Sequence, residues 1–162
     1  MSLSIRKAVP GDEAIVLGFI RELAEYEKLS DAVTATPAHL SRTLFADTPK
    51  VFALIAERDG EPIGFALYFF NYSTFLGMHG LYLEDLYVRE AARGSGAGTA
   101  LLAKLAKIAI DQNCGRMEWS VLDWNAPSIN FYKALGAEAM DEWTVYRLTG
   151  DALTGLARKA KS

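Results

Sequence analysis

The sequence has 162 residues, which fits one compact domain, and 51% of them are hydrophobic, enough for a sizeable core without disulfides or metals. A net charge of −3 without any Lys/Arg stripe argues against nucleic-acid binding, and well-mixed charges argue against disorder. Cys114 is the sole cysteine, so no intrachain disulfide can form. The N-terminus MSLSIRKAVPGDE lacks a signal-peptide core and no apolar run is long enough to span a bilayer, so a soluble, cytoplasmic protein is expected.

In chain order, Leu3 to Ala8 reads as a strand. Asp12 to Leu29 reads as a helix with Val16, Phe19, Ile20 and Leu23 on one stripe. Thr36-Pro37 predicts an N-cap followed by proline at the first helical position, opening a short helix to Phe45. Val51 to Arg58 and Pro62 to Asn71 are strand-like runs joined by the hairpin signal Asp59-Gly60. Leu81 to Val88 predicts another strand. Leu101, Leu102, Leu105, Ile108 and Ala109 keep helical spacing between Gly98 and Asn113. Arg116 to Leu122 reads as a strand, Asn125 to Leu135 as a helix, Trp143 to Leu148 as a last strand and Asp151 to Lys159 as a terminal helix. The order predicts an α/β (α+β) mixed sheet with helices packed on it.

Two stretches carry chemistry. The first is YLEDLYVREAARGSGAGTALL, Tyr82 to Leu102. Glycine lets the backbone approach a ligand, and the helix that follows offers unpaired N–H donors and a positive dipole end, which together suit a phosphate. The Gly-Lys-Ser/Thr of a P-loop is absent. Thr99 stands where a dinucleotide fingerprint needs its third glycine, and Arg89 to Arg93 separate the glycines from the strand. A flexible helix start with no ligand is the alternative. Glu84 and Asp85 are neighbours in the preceding strand, so without a bulge they leave by opposite faces. A buried carboxylate either finds a cationic partner or has its pKa raised, and a raised pKa suits a general base or an ammonium-binding group. An acid paired with an arginine across the sheet is the alternative reading.

The second stretch is VLDWNAPSINFYKALG, Val121 to Gly136, an Asn-capped helix carrying Phe131 and Tyr132. An aromatic at helical spacing commonly belongs to a core. Taken with Arg93 to Gly98, however, the combination resembles the GNAT superfamily of acyl-CoA-dependent N-acetyltransferases, whose pyrophosphate signature Arg/Gln-x-x-Gly-x-Gly/Ala is present. Within it, YLEDLYV, RGSGAG, WNAPSINFYKALGA and ELAEYEKL resemble the diamine (spermidine/spermine) N-acetyltransferase group.

The resemblance implies a single GNAT domain over 1–162, with acetyl-CoA as cosubstrate and no metal. The coenzyme lies where Leu81–Val88 and Arg116–Leu122, two central parallel strands, splay apart. Leu86, Tyr87 and Val88 would line the acetyl-pantetheine arm, with backbone groups of Leu86 and Val88 holding it. Arg93, Gly94, Ser95, Gly96, Ala97, Gly98 and Thr99 would cradle the pyrophosphate. Asn125, Ser128, Tyr132 and Lys133 would contact the coenzyme from elsewhere in the chain. Tyr132 matches the acid for the leaving thiolate, and Glu84 the base, acting through water. Tyr26, Glu27, Glu84 and Asp85 match substrate-binding positions. Ser73 and Phe75, in FNYSTFLGMHG, stand where polyamine-type enzymes carry an acid and a tryptophan, which points to a shorter diamine or a thialysine-like amine. A homodimer is implied, with no nucleic acid or membrane as partner. The alternatives are acetylation of an aminoglycoside, amino acid or protein lysine, and a non-catalytic acyl-CoA sensor.

Overall fold

A computed structural model of the chain describes residues 2–161. The chain forms two compact units, Met1–Leu122 and Asp123–Ser162. The first contains β1 (Leu3–Lys7), α1 (Glu13–Tyr26), α2 (Pro37–Leu44), β2 (Phe52–Arg58), β3 (Glu61–Ser73), β4 (Met78–Val88), α3 (Ala97–Asp111) and β5 (Met117–Trp119). The strands form one sheet in chain order, antiparallel throughout except for the parallel pair β4–β5. This is the expected mixed sheet.

Local chemistry explains the elements. Asp59 and Gly60 both have positive φ, 51° and 84°, as a tight two-residue hairpin turn between β2 and β3 demands. Thr36 caps α2: its hydroxyl accepts from the His39 N–H, while His39 Nδ1 accepts from the Thr36 N–H, each at 3.2 Å. Helix α1 begins one residue later than expected. Asp12 does not cap it with its side chain; the carboxylate instead accepts from Arg6 Nη1 at 2.7 Å, Arg6 Nη2 at 3.0 Å and the Val9 N–H at 2.8 Å. The helix ends at Tyr26 rather than Leu29, because Lys28 turns left-handed at φ 61° and lets the Leu29 N–H return to the Ala24 carbonyl at 2.7 Å.

Strand alternation sorts the core onto two faces. Ala53, Ile55, Phe65 and Leu67 face α1 and α2, where they meet Val16, Phe19, Leu40 and Leu44. Phe19 stacks on Phe65 at 5.6 Å between ring centres. The opposite face, with Leu54, Ala66, Tyr68, Leu81 and Leu83, is covered by α3 through Leu101 and Leu105.

The second unit holds α4 (Ala126–Ala134) and α5 (Gly150–Ala157). The strand expected over Trp143 to Leu148 does not form, and Trp143, Val145 and Tyr146 are highly exposed. Alternating apolar residues supply strand propensity, but a strand needs a ladder partner, and none pairs with this segment among the described residues. The parallel pair β4–β5 therefore lies at the end of the ladder rather than at its centre.

Candidate functional site

The register of β3 and β4 breaks at the two acids. Leu67 faces Asp85 and Tyr68 faces Leu83, so Glu84 is an extra residue with no partner across the ladder. The bulge shifts the alternation. Leu81 and Leu83 face α3, whereas Asp85, opposite Leu67, and Tyr87, opposite Phe65, face α1 and α2. Without the bulge Asp85 would point among the leucines of α3.

The bulge also marks where β4 and β5 part. Their pairing covers Leu81–Leu83 against Met117–Trp119 and goes no further. Arg89 donates its N–H to the Ile63 carbonyl on β3 at 2.9 Å. By alternation the N–H groups of Leu86 and Val88 point away from β3, to the side that β5 has left. The parallel ladder thus stops at the acids, where the two strands are expected to splay apart.

The acids are clustered. Glu84 is exposed and Asp85 beside it is half-buried. Burial pushes the Asp85 carboxyl up to about 6, and the charges of Glu84 and Glu27 add to the shift. Burial also raises Glu27, which caps the C-terminus of α1. No cation pairs with Asp85 among the described residues, so the cross-sheet arginine weighed as an alternative is not there.

Gly94 and Gly96 take φ of 79° and 88°, the left-handed conformation that only glycine adopts freely. Gly96 precedes α3 and no side chain caps that helix, which leaves its first N–H groups without intrahelical acceptors. Ser95 donates its N–H to the Ala92 carbonyl at 3.3 Å. Ala97 is buried, whereas Gly98 and Thr99 lie in the first turn of α3. Arg93 does something its motif did not announce. Its guanidinium sits over the Tyr26 ring at 4.9 Å and the Tyr87 ring at 5.7 Å, and its Nε donates to the Val88 carbonyl at 2.9 Å. The loop expected to hold phosphate is thereby tied to the end of α1, where Tyr26 and Glu27 lie. The Val88 carbonyl, expected to hold the coenzyme arm, is engaged by Arg93. Ser73 does not take over the role of a substrate-binding acid. It is buried at the β3–β4 turn, where its hydroxyl accepts the Leu76 N–H at 3.2 Å.

In the second unit, buried Asn125 caps α4 by accepting the Ser128 N–H at 3.4 Å, and Pro127 sits in the first turn, where a missing N–H leaves no gap. Tyr132 and Lys133 lie in the last turn. Gly136, at φ 90°, closes the helix and lets Ala137 donate to the Tyr132 carbonyl at 3.2 Å.

The sequence matches the acetyltransferase (GNAT) family over residues 20–137. The chain belongs to the GNAT acetyltransferases. It is 43% identical to the thialysine N-epsilon-acetyltransferase of Bos taurus, covering 96% of this chain and 97% of that protein. It is 34% identical to the L-ornithine N5-acetyltransferase NATA1 of Arabidopsis thaliana, over 94% and 86% of the two chains. Among solved structures it resembles an integron cassette protein from the mobile metagenome of V. cholerae, with a TM-score of 0.81, 30% identity, and 98% and 99% of the chains covered. This GNAT protein is an N-acetyltransferase, an enzyme acting on an amine. None of its helices, among the described residues, is long and apolar enough to cross a membrane.

Proposed function

We propose that this N-acetyltransferase transfers the acetyl group of acetyl-CoA to the terminal amine of a small cationic substrate, a thialysine- or ornithine-like amine or a short diamine in preference to a long polyamine. The observation that carries this reading is the bulge. It sets Glu84 and Asp85 near Glu27 and next to the open edge of β4, where the N–H groups of Leu86 and Val88 face outward. The names of the relatives support the choice of amine.

The chemistry asks for these groups. An alkylammonium of pKa about 10 is neutral in roughly one molecule per thousand or fewer at pH 7, so losing the proton accounts for about 4–5 kcal/mol of the barrier. The acids hold the cation, and Glu84, exposed to water, takes the proton through it. The free amine attacks the thioester carbonyl while the Leu86 N–H supports the developing oxyanion. The carbon–sulfur bond breaks, and Tyr132 gives its proton to the thiolate. The role of Tyr132, like the coenzyme contacts of Asn125, Ser128 and Lys133, rests on the motif around them. Gly94 to Thr99, with uncapped N–H groups at the start of α3, suit the pyrophosphate. Both units are taken as serving one catalytic domain, and the enzyme as a cytoplasmic homodimer. The exposed Trp143, Val145 and Tyr146 support the dimer, which a sedimentation mass of one chain would remove.

The test is release of free CoA thiol from acetyl-CoA with thialysine, ornithine, putrescine, spermidine and an aminoglycoside, using Tyr132→Phe as control. Selective turnover of an amino acid or short diamine, slowed at least tenfold in the control, is the expected result. Preference for spermidine or the aminoglycoside overturns the choice of amine. Full turnover by Tyr132→Phe overturns the acid. Coenzyme binding without thiol release on any amine would make the protein a sensor.

A further inference from the structure

A cavity of about 500 Å³ lies at one end of the sheet, where the C-terminal half of α3 meets β1, β2, β3 and the end of α2. It falls wholly within the first unit and includes none of the groups assigned to acetyl transfer. Its floor is an aromatic triangle. Phe52, Tyr68 and Phe70 lie 5.4, 5.7 and 6.0 Å apart, centre to centre, and Ile108 of α3 faces the same space.

Three polar groups there have no partner. Tyr68 is only 4% exposed as a residue, but its hydroxyl, which makes no hydrogen bond among the described residues, is not sealed from solvent and borders the cavity. Burial alone pushes its pKa up, with no neighbouring charge contributing. Lys7 on β1 and Lys104 on α3 border the same cavity, and the ammonium group of neither enters an ion pair among the described residues. The one acid at the margin, Asp111, is already engaged by Lys107 at 3.0 Å. The opening is therefore net positive, the walls are flat and aromatic, and a hydrogen-bonding group waits inside. The volume lies in the range of small-molecule sites.

We propose that this cavity is a second binding site, for a small planar aromatic carboxylate. The ring packs against Phe52 and Phe70, the carboxylate meets Lys104 and Lys7, and the Tyr68 hydroxyl bonds a polar atom on the ring.

The test is calorimetric titration of the full-length enzyme, with saturating CoA present so that the coenzyme cleft is closed to the probe. The probes are indole-3-acetate, its neutral counterpart indole-3-ethanol, and hexanoate, which keeps the carboxylate but lacks the ring. Indole-3-acetate is expected to bind saturably with one site, at least about tenfold tighter than either control. Lys104→Gln, a change at an exposed position, weakens it about tenfold, and Tyr68→Phe several-fold. In the absence of probe, Tyr68→Phe keeps or raises the melting temperature, because an unpaired hydroxyl contributes nothing to the fold. Equal binding of all three probes, no saturable binding, or indifference to Lys104→Gln overturns the site. A lower melting temperature for Tyr68→Phe would reveal an internal partner for the phenol and overturn it as well.

Discussion

The guanidinium of Arg93 lies 4.9 Å from the centre of the Tyr26 ring, joining the glycine loop to the end of α1. A residue assigned to the coenzyme by its motif thus also touches Tyr26, the position proposed for the substrate side. Replacing it with Gln removes the cation over Tyr26 and Tyr87, at about 1 kcal/mol or more, together with the bond to the Val88 carbonyl. We expect KM to rise about three- to tenfold for both the coenzyme and the amine in steady-state assays. A rise confined to the coenzyme would show that the contact with Tyr26 has no functional weight.

Asp85 carries a pH signature. Its carboxyl is raised to about 6 by burial, with Glu84 and Glu27 adding to the shift, whereas the unfolded chain releases this proton near the ordinary carboxylate value of about 3.9. Between those two values the folded state binds the extra proton, so stability falls as pH rises and levels off above about 6. The contribution is up to about 3 kcal/mol. Chemical denaturation of Asp85→Asn should lack this decline. Amine turnover by the unmodified enzyme should rise through pH 6 as the carboxylate forms, and the substitution should flatten that limb.

Gly64 on β3 is required by closeness rather than by backbone conformation. A Cβ there would meet the Tyr87 carbonyl oxygen at 2.6 Å and the Val88 Cα at 3.2 Å. Neither atom can move without moving the end of β4, whose outward N–H groups are assigned to the coenzyme. Gly64→Ala should destabilise by about 1–3 kcal/mol in thermal melts and weaken coenzyme binding together with stability. A change in stability alone would show that the end of β4 tolerates displacement.

The pair Arg6–Asp12 pins the start of α1 to β1. Asp12 is buried and accepts three hydrogen bonds, and Arg6 reaches Glu57 as well at 3.2 Å. The Arg6 guanidinium holds the Asp12 carboxyl below its usual value. Stability from this pair is present above the ordinary carboxylate pKa and is lost as pH falls through the lowered one. Asp12→Ala should cost about 2–4 kcal/mol at neutral pH, with a smaller difference between the two proteins in acid. An unchanged melting temperature at pH 7 would show that the pair is not structural.

What could be read from the residues follows from how local each signal is. The Asp59-Gly60 turn, the Thr36-Pro37 cap and the spacing of Leu101, Leu102 and Leu105 are short-range, and each appears where expected. The glycine loop was legible because positive φ has few residues to choose from. The register of the bulge depends on β3, so the face taken by Asp85 could not be read from β4 alone. The meeting of Arg93 with Tyr26 joins positions far apart in the chain and leaves no pattern in either segment. Trp143 to Leu148 misled because propensity was visible whereas the missing partner strand was not. The unpaired hydroxyl of Tyr68 was equally hidden, since alternation says only that a side chain points inward.

Glu84 is supernumerary. On either side of it β4 alternates as an unbroken strand would: Leu81 and Leu83 to one face, Asp85 and Tyr87 to the other, Leu86 and Val88 back again. Excising this single residue would leave every remaining side chain of the strand on its present face and yield an uninterrupted hairpin. The proposed base is thus an addition to a complete scaffold, and its deletion is expected to cost turnover while sparing the fold. A lineage could lose catalysis in one genetic step and keep a sound protein, free for other uses.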